Sequence, residues 1–110
     1  MLESTNYYGA KNMTAFDRSK INAVYKYLSI GFPEFSIDQA YDKDHMAPTF
    51  SVKNNDEIYV LKFIPKFWDR CDAGTLFKRL KTLDVANALR KNPQENIIVN
   101  QGVYLSYEPK

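Results

Sequence analysis

The sequence predicts an α+β fold in which one antiparallel sheet of about five strands has helices packed on one face. Two observations lead to this prediction. Alternating apolar runs flank the turn-forming segment Asn54-Asn55-Asp56, which is the pattern of a β-hairpin. A helical pattern then begins just after Asp72. Along the whole chain the predicted order is α-β-β-β-α(α)-β-β, and connections of hairpin length favour antiparallel neighbours.

The chain has 110 residues, which is the size of one domain. Residues 1–13 are polar and predict a flexible N-terminal lead-in, so that residues 14–110 form the single domain. We expect neither a signal peptide nor a membrane span, because no apolar run has the required length. Cys71 is the only cysteine and cannot form an internal disulfide, which is typical of a cytoplasmic protein.

The first helix is predicted over residues 15–30. Thr14 and Asp17 have the spacing of a capping box, with Asp in place of the usual Glu or Gln. Gly31 and Pro33 end the helix, since Gly accepts the left-handed cap and Pro cannot continue the hydrogen bonding. Apolar residues recur at spacings of three and four along one helix face: Ile21, Val24, Tyr25 and Leu28.

Three strands follow. Residues 35–41 and 49–53 alternate between apolar and polar, which predicts two half-buried strands joined by a loop at 42–48. Residues 57–64 are apolar on both faces, which predicts a strand that is central in the sheet or covered by two layers. Pro65 ends this strand because it has no N–H for the ladder, and a short connector leads to the next helix.

Two apolar stripes mark the helical region that Asp72 caps. On a continuous helix the two stripes would lie on opposite sides, so one of them would be exposed. A break near residues 82–84 buries both and is therefore favoured over one straight helix. The first stripe contains Leu76, Phe77, Leu80 and Leu83, and the second contains Val85, Ala88 and Leu89.

Two further strands are predicted at the C-terminal end of the chain. They cover residues 96–99 and 103–107. Asn100-Gln101-Gly102 lies between them and has the composition of a hairpin turn.

No reactive centre is recognisable in the chain. It contains no glycine-rich phosphate loop, no CxxC pair and no HExxH pair. The densest polar cluster lies around the 42–48 loop and consists of Asp38, Asp42, Asp44 and His45. It lacks the spacing of a calcium loop, and we interpret it as a solvated turn. We therefore predict no enzyme, no cofactor and no metal. If the protein were instead an enzyme or a ligand-binding protein with a helix–sheet pocket, its reactive groups would come from Asp42, Asp44, His45 and Cys71.

Residues 45–52, His-Met-Ala-Pro-Thr-Phe-Ser-Val, resemble the loop and second strand of double-stranded RNA-binding domains. The order α-β-β-β-α is also that of the family. The resemblance implies an RNA minor-groove contact by the loop and a phosphate grip at the start of the second helix. This chain departs from the family there, because the helix opens with residues 72–75, Asp-Ala-Gly-Thr, and the basic residues come a turn later.

The chain also resembles the small single-domain accessory proteins of bacterial mobile elements, such as integron cassettes and phages. The resemblance rests on the succession of three segments: the capped helix from Thr14, the segment Tyr59–Asp69 and the helical pattern from Leu76 to Leu89. Membership would imply a bacterial protein without a recognisable active site.

The basic residues are concentrated in one segment. The chain has a net charge of +2, and residues 62–91 contain eight basic and three acidic residues. The excess is either a solvated helix face or a nucleic-acid footprint. The footprint would consist of Lys62, Lys66, Arg70, Lys78, Arg79 and Lys81.

The favoured function is a non-enzymatic protein-interaction module. Aromatic residues make up 15% of the chain and no catalytic set accompanies them. Tyr and Trp dominate interface hot spots, although they are equally ordinary in cores. The edge offered by the last strand could also pair with a second copy and give a homodimer. The interface candidates are Phe67, Trp68, Tyr104 and Tyr107.

Overall fold

The computed structural model describes residues 18–42, 47–101 and 103–110. The predicted lead-in and the Thr14 cap lie outside these residues. Along the described chain the elements are α1 (Arg18–Gly31), β1 (Ser36–Asp42), β2 (Ala47–Lys53), β3 (Ile58–Phe63), α2 (Pro65–Arg70), α3 (Ala73–Thr82), α4 (Val85–Lys91), β4 (Glu95–Asn100) and β5 (Tyr104–Pro109).

The strands form one five-stranded sheet in the order β1-β2-β3-β4-β5. This confirms the predicted α+β class. The sheet is antiparallel at every pair except β3–β4, which is parallel. The three helices between β3 and β4 return the chain to the end of the sheet where β3 began, so β4 must run in the same direction as β3. The prediction that the sheet is antiparallel is therefore wrong at this one pair.

The two faces of the sheet differ in chemistry. Phe50 pairs with Leu61, and Leu61 pairs with Ile97, so these side chains share one face and are fully buried under the helices. Because side chains alternate along a strand, Lys62 projects to the opposite face. Ion pairs and amide hydrogen bonds cover that face: Lys62 with Glu108, Lys53 with Asp38, and Asn100 with Ser106.

β3 lies at the centre of the sheet, which is one of the two placements predicted for residues 57–64. Its side chains on the helix face, Tyr59, Leu61 and Phe63, are buried. The hairpin before β3 is held by Asn54, whose side-chain oxygen accepts hydrogen bonds from the N–H groups of Asp56 and Glu57. The Asn-rich turn predicted from the sequence therefore forms, and its hydrogen bonds hold the register of β2 against β3.

The predicted break between the two apolar stripes is confirmed. α3 ends at Thr82 and α4 begins at Val85, with Asp84 in the left-handed conformation at φ 53° between them. The change of direction buries both stripes, since Leu80 and Leu89 are fully enclosed. The hydroxyl of Tyr27 on α1 accepts a hydrogen bond from the Ala86 N–H at 2.9 Å and ties α4 to the first helix.

A short helix, α2, replaces the predicted connector after β3. Pro65 stands in its first turn, where the missing N–H costs nothing. Trp68 is completely buried and contacts the rings of Phe63 and Phe50 at centroid distances of 5.1 and 6.4 Å. The Nζ of Lys20, itself buried, donates to the Trp68 carbonyl at 2.6 Å. These contacts fix α2 to the end of the sheet.

We expect Trp68→Ala to lower the free energy of unfolding by about 3–5 kcal/mol, because truncating a fully packed aromatic leaves a cavity. Trp68→Phe keeps most of the ring contacts and should cost less. The exposed Ile30→Ala on α1 is the control and should change stability by less than about 0.5 kcal/mol. Urea unfolding followed by circular dichroism measures all three, and equal midpoints for Trp68→Ala and the control would contradict the packing described above.

The left-handed conformation of Asp84 between α3 and α4 leads to a second prediction about stability. Asp84→Ala should be less stable than Asp84→Gly by about 1–2 kcal/mol, because a Cβ is strained at positive φ whereas Gly is not. The order is the reverse of that in a helix interior. Neither variant removes a side-chain cap, since Asp84 makes none. Thermal unfolding of the pair measures the difference, and a more stable Ala variant would argue against the break.

Candidate anion-binding cleft

A cleft of about 450 Å³ lies where α2, α3 and the β4–β5 turn meet. Three of the basic residues predicted for nucleic-acid binding line it. The full lining among the described residues consists of Lys66, Phe67, Arg70, Cys71, Asp72, Thr75, Arg79 and Gln101.

The α2 wall of the cleft follows from helical spacing. Lys66 and Arg70 are four residues apart and therefore project from the same side of α2. Both are exposed, whereas the neighbouring Phe67 and Cys71 are buried. Phe67 stacks on Phe63 with nearly parallel rings, so the inner wall of the cleft is part of the core. Lys66 and Arg70 thus project from a helix whose inner side is packed into the core.

The α3 wall begins at its N-cap. Asp72 Oδ1 accepts a hydrogen bond from the Thr75 N–H at 2.7 Å, and this bond holds the pKa of the Asp72 carboxyl below its usual value. Thr75 and Arg79 are four residues apart and line the cleft together. The carboxylate of Asp72 is thereby committed to the backbone of its own helix, while the Arg79 guanidinium is exposed.

The cleft lies at the carboxyl ends of the parallel strands. β3 runs directly into α2, and β4 runs directly into Gln101, which has a φ of 58°. The Ile64 N–H donates to the Val99 carbonyl at 3.1 Å and joins the two strand ends. In open sheets with parallel strands, this end of the strands is where ligands commonly bind.

The charges of the cleft are unbalanced. Its described lining contains three cations and one carboxylate. The ion pairs of the described residues join Lys53 to Asp38 and Lys62 to Glu108, and none involves a cation of the cleft. The sheet therefore neutralises its lysines, whereas the cleft leaves its cations available to an anion from outside.

Cys71 is a weak candidate for a nucleophile. Its side chain is 8% exposed, and its Sγ lies 3.8 Å from the Trp68 carbonyl oxygen as a donor. Burial raises the pKa of the Cys71 thiol, and the Lys20 ammonium offsets this only in part. A thiol that stays protonated at neutral pH is a structural part of the inner wall.

The six basic residues proposed as a footprint do not form one surface. Lys62 lies on the open face of the sheet and is paired with Glu108. Lys81 lies over the Phe77 ring at 5.7 Å, and Lys78 is exposed on α3. Only Lys66, Arg70 and Arg79 converge on the cleft. The spacing of four residues within each pair, Lys66–Arg70 and Thr75–Arg79, was the sequence signal that could have found this subset.

The four aromatic interface candidates fall into two buried and two exposed residues. Trp68 is fully buried, and Phe67 is 8% exposed and borders the cleft, so neither ring offers a flat surface to a partner protein. Tyr104 and Tyr107 are about half exposed on β5. Of the four candidates, a partner protein would therefore meet only the two tyrosines.

Among residues 18–42, 47–101 and 103–110, no three His, Cys, Asp or Glu side chains lie close enough together to hold a metal ion. Asp44 and His45 of the polar loop lie outside these residues, as does the side chain of Asp42. Asp38 is paired with Lys53 at 3.3 Å.

We expect the thiol-specific reagent DTNB to label Cys71 much more slowly in the folded protein than in the denatured chain at the same pH. The reagent requires a thiolate, and the raised pKa keeps the folded thiol protonated. The folded-state rate should accordingly keep rising with pH beyond the range in which an ordinary cysteine has ionised. Equal rates for folded and denatured protein at pH 8 would show that Cys71 is neither buried nor perturbed.

No helix in the described parts of the chain has both the length and the apolar character needed to cross a membrane. Comparisons of the sequence with protein-family models and with curated proteins, and of the structure with solved structures, found no match.

Proposed function

We propose that this protein binds nucleic acid through phosphate contacts in the cleft between α2 and α3. The observation that carries the proposal is the set of three exposed cations, Lys66, Arg70 and Arg79, which line one cleft and form no ion pair within the described residues. An excess of unpaired positive charge on a rigid concave surface attracts phosphate more strongly than the same charges spread over a surface.

Each side chain has a defined role in such a contact. The guanidinium groups of Arg70 and Arg79 can each donate two parallel hydrogen bonds to a phosphate, and Lys66 adds a point charge. Thr75 and Gln101 supply neutral polar groups at the rim. The N-terminal end of α3 beside the cleft is already capped by the Asp72 carboxylate, so the attraction for phosphate comes from the three cations.

A nucleic acid suits the cleft better than a small apolar ligand does. Small-molecule sites are lined mainly by hydrophobic side chains, and here Phe67 is the only large apolar residue of the described lining. Lys78, beside Arg79 in the chain, is exposed outside the lining and extends the positive surface along α3. A polymer with regularly spaced phosphates can use both positions. A nucleic-acid partner also accords with the cytoplasmic location expected from the sequence.

The test replaces Lys66, Arg70 and Arg79 together by Gln and measures binding of labelled single- and double-stranded DNA and RNA by fluorescence anisotropy at several salt concentrations. The variant should bind much more weakly. For duplex DNA the slope of log affinity against log salt should become shallower by about 2–3, because each phosphate that the protein no longer neutralises changes the slope by ~0.9.

A matched control separates the cleft from the overall charge. Arg18, Lys26 and Lys91 are exposed and lie outside the cleft lining, so their joint replacement by Gln removes the same charge without touching it. This control should keep most of the affinity. The proposal fails if the wild-type protein binds none of the four nucleic acids at low salt, or if the two triple variants are weakened equally.

A further inference from the structure

β5 forms one edge of the sheet, and its backbone presents a defined set of groups that pair with no strand of the described residues. The Lys110 N–H donates to the carbonyl of Gln94, and β4 and β5 pair in the register Ile97–Tyr107 and Val99–Leu105. In an antiparallel ladder, hydrogen-bonded and non-hydrogen-bonded pairs alternate. Because Gln94 and Lys110 form a hydrogen-bonded pair, the pairs Ile97–Tyr107 and Val99–Leu105 are non-hydrogen-bonded. Leu105 and Tyr107 therefore direct their N–H and C=O groups away from β4, toward the outer edge.

The neighbours of these two residues limit where another strand can pair. Pro109 also faces outward, but it has no N–H to donate. The Val103 N–H is already used, since it donates to the Asn100 carbonyl in the turn. The free edge is thus a short window centred on Ser106, with Leu105 and Tyr107 as its hydrogen-bonding residues.

The side chains along β5 are unusually apolar for an exposed edge. Val103, which directly precedes β5, and Tyr104 and Tyr107 within it are 66, 53 and 47% exposed, and the described chain has few other large hydrophobic residues with such exposure. The opposite edge, β1, carries Asp38 and no exposed large hydrophobic side chain among those that the structure describes. Natural edge strands usually carry charges that prevent pairing, and β5 lacks this protection at its centre.

We propose that β5 pairs antiparallel with β5 of a second copy, forming a symmetric dimer with a continuous sheet. Only one register uses all the backbone groups of both free residues: Leu105 of one copy faces Tyr107 of the other, and the two-fold axis repeats the pair. A shift that places Tyr107 opposite itself sets Leu105 against Pro109, whose missing N–H leaves the Leu105 carbonyl unpaired. A shift that places Leu105 opposite itself sets Tyr107 against Val103, whose N–H is used in the turn.

The side chains of β5 complement one another in the favoured register. Leu105 packs beside Tyr107 on the helix face of the sheet, which is a favourable aromatic–aliphatic pair. On the open face, Ser106 meets Ser106, and Glu108 lies beside Tyr104. Glu108 is already neutralised by Lys62 at 2.8 Å, so no like charges meet across the seam. A second copy of this chain therefore fits the edge better than an unrelated strand would.

The test measures mass by light scattering over a range of protein concentrations and compares two variants of the seam. Tyr107→Pro removes the outward N–H but no bond to β4, and Tyr107→Lys places a charge in the seam. Both should remain monomeric where the wild type is a dimer. Ile30→Lys changes an equally apolar residue, exposed on α1, and should dimerise like the wild type.

Hydrogen exchange on the unaltered protein gives an independent readout. The amides of Leu105 and Tyr107 should become protected as the concentration rises, while the amide of Ile30 should not change. The proposal is overturned by a wild type that stays monomeric at high micromolar concentration, or by a dimer without concentration-dependent protection of these two amides. It is also overturned by a dimer that persists in folded Tyr107→Lys. Should both variants unfold, the exchange measurement decides alone.

Discussion

The packing of Trp68 against the end of the sheet is the interaction on which the rest of the molecule depends. α2 has only six residues and cannot hold its position by helical hydrogen bonding alone. The Trp68 ring fixes it to Phe63 and Phe50, and Lys20 of α1 holds its carbonyl. With the inner side of α2 anchored, its outer side must present Lys66 and Arg70 to solvent.

The same anchoring sets the direction of the chain after β3. α2 starts the crossover that returns through α3 and α4, and this return makes β4 parallel to β3. The carboxyl ends of both strands consequently meet at one end of the sheet, next to the N-terminal end of α3. A basic cleft forms there because the described elements that meet at that place line it with Lys66, Arg70 and Arg79 but only one carboxylate, which is used in capping.

Charge is distributed differently over the open face of the sheet and over the cleft at the ends of its parallel strands. On the open face, lysines are paired with Asp38 and Glu108 and contribute to the cross-strand network. At the cleft, the cations have no such partners among the described residues. Surface pairs of this kind add little stability, so the difference matters mainly for which charges remain available to a ligand. The lysine count of a segment therefore says less about binding than the position of each carboxylate does.

The sequence by itself determined the α+β class, the order of the elements apart from the short helix α2, the central place of β3 and the break at Asp84, because each depends on local periodicity, turn chemistry or the need to bury two stripes. Only the tertiary structure decided the direction of β4, the burial of Trp68 and the division of the basic residues, because these depend on how distant elements pack. Lys62 and Lys66 are four residues apart in the chain, yet a strand end and a helix start between them place one on the open face and the other in the cleft.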